Sequence, residues 1–169
     1  DDGPRPQPKL HHLDGRDHWL RRQRRGGERA GLLASSNATR LKPHGVFVRA
    51  KIEPEKWFLA NRDDVRSSDA LEDAGTEFDV QGLELDWACL CWDANMRRVN
   101  DAWQALQFKG TRWQAVNDQT RQAYVANSYR VLLTRARQGL VVFVPEGSIE
   151  DHTRPPIAYD AIHSFLKLC

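Results

Sequence analysis

The run Asn127-Ser-Tyr-Arg-Val-Leu-Leu-Thr-Arg-Ala-Arg137 gathers Arg130, Arg135 and Arg137 at the close of an amphipathic segment. Arginine suits phosphate there, because its guanidinium is planar, permanently charged and forked. Val125, Tyr129, Leu132, Leu133 and Ala136 recur at helical spacing and make one apolar stripe. Arg130, Thr134 and Arg137 share a second face, and Arg135 projects between the two. Gly139 reads as the stop of that helix, and Leu140-Val-Val-Phe-Val144 as the buried strand after it. The spacing predicts a helix-to-strand unit whose junction can reach an anion.

Other chemistry is conspicuous by its absence from the chain. There is no GxxxxGK[ST] phosphate loop and no Gly-Lys dipeptide, so the backbone cradle of a P-loop is not encoded in these residues. Asp93 stands at the end of an apolar strand, as a magnesium-binding carboxylate would, but it stands alone. The six histidines show no metal-ligand spacing, and no Ser-His-Asp or Cys-His arrangement is readable, so no metal site is expected. Trp103, Phe108, Lys109, Arg112 and Trp113 interleave aromatic and basic side chains. That composition fits a single-strand stacking platform and equally a small satellite core.

The elements that must position these residues come from the apolar pattern. Arg29-Ala-Gly-Leu-Leu-Ala34 and Trp87-Ala-Cys-Leu-Cys-Trp92 are short buried strands, and Val46-Phe-Val48 a third. Ser35-Ser36 signals an N-cap for a helix over Asn37 to Leu41. Trp57, Phe58 and Leu59 are expected inside, a broken helix over Asp63 to Ala74, a long connection or insertion from 93 to about 120, and a last helix from Ile157 to Leu168. Strands alternating with helices give an α/β fold, with a mostly parallel sheet covered by helices on both faces. Residues 1–28 are expected as linker and charged helix, partly disordered, and 29–169 as the domain. Trp19 and Leu20 anchor that helix, and Arg21, Arg22, Arg24 and Arg25 face either solvent or an acidic partner.

Of the 169 residues, 40% are hydrophobic and 28% charged, enough for one packed core. The net charge of +2 does not by itself argue for nucleic acid. Cys89, Cys91 and Cys169 form no CxxC and no even disulfide set, and no apolar run approaches a membrane span. The expectation is a cytoplasmic protein without a membrane partner. The Pro-rich start at Asp1 suggests a piece of a longer polypeptide.

Thr76-Glu-Phe-Asp-Val-Gln-Gly-Leu-Glu-Leu-Asp86 and Tyr129-Arg-Val-Leu-Leu-Thr-Arg-Ala-Arg137 lie about fifty residues apart, each beside a core strand. In order and spacing they resemble motifs V and VI of superfamily one P-loop helicases. Together with Phe108-Lys-Gly-Thr-Arg-Trp113, they are most similar to the schlafen group 3-like DNA/RNA helicase domain, over roughly residues 29–168. The resemblance implies the C-terminal RecA-like half of such a helicase, a three-layer fold. ATP and Mg2+ would then belong to the intact protein, with none bound by this chain alone. The partners implied are an N-terminal RecA-like half of the same polypeptide and single-stranded DNA or RNA.

The same resemblance assigns roles. Arg135 matches the catalytic arginine that reaches the γ-phosphate across the cleft, and Arg137 lies beside it. Glu84 matches a glutamate near the nucleotide ribose, with Gly82 allowing close backbone approach. Thr76 and Gln81 match positions beside nucleic acid; Lys109, Arg112 and Trp113 join them as candidates through the aromatic and basic composition of their segment. Phe78 stands where histidine is frequent, and it either stacks on a base or joins the core. In the segment resembling motif IV, Ser35 stands where relatives carry a phosphate-touching arginine, and Arg40 follows several residues on. The rival reading is a non-catalytic nucleic-acid or protein-binding module on a degenerate RecA-like fold.

Overall fold

The two most apolar runs of the chain lie side by side and carry the architecture. A computed structural model describes residues 13–48 and 51–169. The lead over 1–12, expected to be extended or disordered, lies outside the described residues. In order the elements are α1 (Leu13–Gln23), β1 (Ala30–Ala34), α2 (Pro54–Leu59), β2 (Ala74–Gly75), β3 (Leu85–Cys91), β4 (Met96–Val99), β5 (Ala102–Lys109), β6 (Arg112–Ala115), α3 (Gln119–Leu133), β7 (Ala136–Phe143) and α4 (Pro156–Leu166).

Four strands form a parallel sheet in the order β2-β1-β3-β7, with Leu32 level with Cys89 and Cys89 level with Val141. Because side chains alternate along a strand, the sheet divides its apolar residues between two faces. On one, Leu32, Ala34, Cys89, Cys91 and Phe143 meet Leu20 of α1, with Leu41, Val46 and Leu71. On the other, Leu33, Ala88 and Leu90 meet Trp57 of α2, Val125, Tyr129 and Leu132 of α3, and Tyr159 and Ile162 of α4. Helices therefore cover both faces of a parallel sheet. This is the α/β arrangement expected, and it is compatible with a RecA-like fold. Among the described residues, no helix is long and apolar enough to cross a membrane.

Helix α1 is held to the sheet by its apolar anchors. Leu20 is fully buried, and the Trp19 ring meets Trp87 edge-on at 5.7 Å. The arginines in and just after its last turn differ in their surroundings. Arg24 pairs with the buried carboxylate of Asp69 at 2.8 Å, whereas Arg22 and Arg25 remain exposed.

Several local expectations need correction. No α-helix starts after Ser35-Ser36, where the Ser36 N–H and hydroxyl both donate to Glu77. The chain turns instead and makes a short 3-10 helix, Thr39–His44, ending at Gly45 with φ 66°. Val46–Val48 contributes a single bridge from Phe47 to Asp73, and in place of a helix over 63–74 there is a 3-10 turn, Ser68–Ala70, followed by that bridge and the start of β2 at Ala74. Leu59, expected inside, is exposed.

Of the two readings of residues 93 to about 120, the insertion describes them, set between β3 and α3. They fold into the antiparallel meander β4-β5-β6, whose first turn is Asn100-Asp101 with φ 49° and 63° and whose second begins at Gly110 with φ 60°. Two-residue hairpin loops require such positive φ.

Gly139 does not stop a helix. α3 ends at Leu133, where the Thr134 hydroxyl donates to the Val131 carbonyl at 2.8 Å, and Gly139 lies within β7. A Cβ at Gly139 would sit 2.5 Å from the Trp87 ring. The neighbouring tryptophan, not a turn, demands the glycine. Ala136 and Arg137 accordingly belong to β7 and not to the helix faces predicted for them.

Candidate functional site

The two segments singled out by the sequence meet at the N-terminal ends of β3 and β7. Leu85 N–H donates to the Arg135 carbonyl at 2.8 Å, and Leu85 is level with Ala136 in the sheet. That pairing sets Glu84 beside Arg137, with Oε2 and Nε 4.0 Å apart. Both side chains are mostly exposed, so this ion pair contributes little to stability and a ligand can exchange for either partner. Gly82 stands two residues earlier at φ 73°, with nothing within 4 Å of the place a Cβ would occupy.

Arg135 sits at the junction between α3 and β7. Its Nε donates to the Val131 carbonyl at 3.2 Å and its Nη2 to Thr134 Oγ1 at 3.3 Å. Both partners are neutral oxygens at a helix C-terminus. The macrodipole favours a cation in that place, by well under ~1 kcal/mol at the surface. The guanidinium is thus oriented without being neutralised. Gly82, Glu84, Arg135 and Arg137 form one edge.

The residues expected on nucleic acid do not form a single group. Thr76 is buried and shapes its own loop, since its N–H and hydroxyl donate to Asp79 Oδ2 at 2.8 and 2.6 Å. Gln81 is exposed in the turn before Gly82. Lys109 and Arg112 face each other, exposed, at the tip of the β5–β6 hairpin. Trp113 is half-buried: its indole N–H donates to the Thr153 carbonyl at 2.7 Å, and Phe108 meets it edge-on at 5.2 Å. Of the two readings of that aromatic cluster, packing describes Trp113 and Phe108.

Phe78 is 57% exposed and stacks on Tyr124, with ring centroids 6.0 Å apart and planes at 29°. It is not a core phenylalanine. Sequence reasoning missed Tyr124 and Glu77, which hold this pair. Glu77 is buried and takes the Ser36 hydroxyl at 2.6 Å, the Ser36 N–H at 2.9 Å and the Tyr124 hydroxyl at 3.2 Å. Partial burial and the nearby carboxylate push the Tyr124 hydroxyl up, so it stays a donor.

The C-terminal ends of β1 and β3 carry a buried polar network. Asp93 accepts the Arg40 N–H at 2.9 Å, the Ala94 N–H at 2.7 Å and the Tyr159 hydroxyl at 3.1 Å. Burial pushes its carboxyl up, against the pull of those donors. The Tyr129 hydroxyl accepts the Asp93 N–H and donates to Asn95, whose amide reaches Ser35. Asp93 is a tie between the sheet, the Thr39–His44 turn and α4.

Arg40 is equally committed. Its Nη2 bonds Asp151 at 3.1 Å and Thr153 at 2.6 Å, and its guanidinium lies 4.8 Å from the Phe108 ring centre. It lies at the opposite end of the sheet from Arg135 and so does not join that edge.

No curated protein and no solved structure matches the chain. Residues 11–146 match the family described as Schlafen group 3, DNA/RNA helicase domain. That span takes in the sheet, the meander, α1, α2 and α3, together with both segments that converge on the Glu84–Arg137 edge. The chain belongs to the schlafen group 3 DNA/RNA helicase domain family, and with it to a helicase-related nucleic-acid function.

Proposed function

We propose that this chain is the C-terminal RecA-like half of an ATP-dependent helicase-like enzyme and supplies one wall of a split ATP site. The carrying observation is the convergence of Glu84, Arg135 and Arg137 at the N-terminal ends of two adjacent strands, on an exposed edge. The residues that would cradle a triphosphate and hold Mg2+ belong to an N-terminal half of the same polypeptide. Arg135 meets the γ-phosphate when the cleft closes. Its present bonds to a carbonyl and a hydroxyl are worth about 1 kcal/mol each, so a phosphate oxygen displaces them readily. A fork already beside the site then stabilises charge on the transferring phosphoryl group without much reorganisation. Glu84 and the open backbone at Gly82 approach the nucleoside. Arg137, freed from Glu84, adds a second guanidinium.

The test uses the polypeptide that includes the N-terminal half. Arg135→Ala lowers kcat by about 10³-fold or more while nucleotide affinity falls far less. The isolated 169-residue chain turns over no ATP above a buffer blank. Sustained metal-dependent hydrolysis by the isolated chain would overturn the split-site reading, and normal turnover by Arg135→Ala with loss in Arg137→Ala would move the role to Arg137. A second reading, a non-catalytic nucleic-acid-binding module, draws on the Phe78–Tyr124 pair, which this chain assembles from its own residues. Absence of a phosphate loop from the longer polypeptide would favour that reading.

A further inference from the structure

Beside the Phe78–Tyr124 pair lies a cavity of about 340 Å³, with Leu106, Val116 and Val125 as its apolar floor and Asn37, Gln107 and Arg121 among its polar groups. We propose that this cavity is a stacking slot for one unstacked base of a single-stranded nucleic acid, with its phosphates led away along Arg121, Lys109 and Arg112. The proposal deepens the nucleic-acid side of the reading above and does not depend on the ATP edge.

The aromatic pair carries the first part of the argument. Phe78 and Tyr124 are 57% and 40% exposed, although a sheet face with unfilled apolar surface lies close by. Their rings stack with planes 29° apart, and Tyr124 is held from below, because its hydroxyl donates to buried Glu77 and Glu77 is tied to Ser36. A stacked ring pair with one ring tethered, beside a small apolar-floored cavity, offers a π-face to any base. The cavity volume is at the small end of ligand pockets, the size for a single planar group.

The rim supplies the second part. Amide and guanidinium groups of Asn37, Gln107 and Arg121 can meet donors and acceptors on a base edge in several ways, which tolerates sequence variation. Arg121 Nη2 bonds Gln107 Oε1 at 3.3 Å, and Gln107 shares a strand face with Lys109, which stands opposite Arg112. A row of three cations therefore starts at the cavity and runs to the hairpin tip. Asp118, the acidic neighbour at the start of α3, is occupied as the N-cap and accepts the Arg121 N–H at 2.7 Å. A polyanion with flat, apolar side groups matches both features, whereas an acidic peptide matches only the row.

The test measures binding of a twelve-residue deoxythymidine oligonucleotide carrying one 2-aminopurine, by anisotropy and by quenching of the 2-aminopurine, at low salt with the 169-residue chain. Phe78→Ala weakens binding about 5- to 150-fold and abolishes the quench, while Phe78→Trp keeps both. Arg121→Gln weakens binding without abolishing the quench. Melting temperatures of all three stay near wild type. Wild-type affinity and quench in Phe78→Ala would overturn the slot while leaving a nucleic-acid role standing. No binding by the wild-type chain would overturn both, and preference for an acidic peptide over the oligonucleotide would overturn the slot in favour of a protein partner.

Discussion

Trp113 and Phe78 are both aromatic, both near basic residues, and opposite in fate. The Trp113 indole donates to the Thr153 carbonyl, lies against Phe108 and has the Arg97 guanidinium 5.9 Å from its ring centre. It ties the meander to the loop before α4. Trp113→Ala removes that contact area and strands a carbonyl, and the expected cost is about 2–3 kcal/mol, less than a fully buried tryptophan because the ring is half-exposed. Urea unfolding followed by tryptophan fluorescence reads the change, and Trp113→Phe, which keeps a ring, recovers part of it. Unchanged stability with lost oligonucleotide binding would return Trp113 to the interface. The sequence shows neither fate, since Thr153 lies 40 positions from Trp113 and Tyr124 lies far from Phe78 along the chain. Residue type tells what chemistry is available, and tertiary neighbours decide whether it is spent.

At the level of elements, the legible parts are those whose pattern comes from burial. β1 and β3 read as continuous apolar runs because both faces of a central parallel strand are covered. α3 and α4 read from helical periodicity. The meander was illegible because one of its faces is polar and its strands carry Arg97, Gln104, Gln107 and Gln114 among the tryptophans. Asn100-Asp101 was the signal available, a pair of residues that tolerate positive φ between two half-buried runs. Gly139 misled because glycine usually marks an end, whereas here it clears space for a ring on the adjacent strand. Gly139→Ala therefore destabilises by about 1–3 kcal/mol through overpacking against Trp87. Trp87→Leu in the same chain offsets part of that loss, so the two changes are non-additive in a thermal-unfolding cycle. Additive costs would show that the glycine is required by backbone conformation instead.

Across the whole molecule, the two candidate surfaces lie at opposite ends of one sheet, and a single segment joins them. Residues 76–84 leave β2 beside the Phe78–Tyr124 slot and return to the start of β3 at Glu84, so they run the length of a seven-residue strand, about 20 Å. That segment passes through a turn whose Val80 is buried in the core. The charge distribution bears on how strand binding depends on salt. With a net charge of only +2, affinity for a phosphate backbone must come from the local row of Arg121, Lys109 and Arg112 rather than from a global field. Three phosphate contacts on a single strand give a slope of log K against log salt of about −2, hence about a 20-fold loss of affinity between 50 and 200 mM salt. Lys109→Gln or Arg112→Gln should each flatten that slope by about 0.7 whatever the oligonucleotide sequence, whereas Phe78→Ala should lower affinity at every salt concentration and leave the slope as it was. A slope near zero in the wild-type chain would mean that the row does not touch phosphate, and a slope altered by Phe78→Ala would mean that ring stacking and phosphate contact are not separable terms.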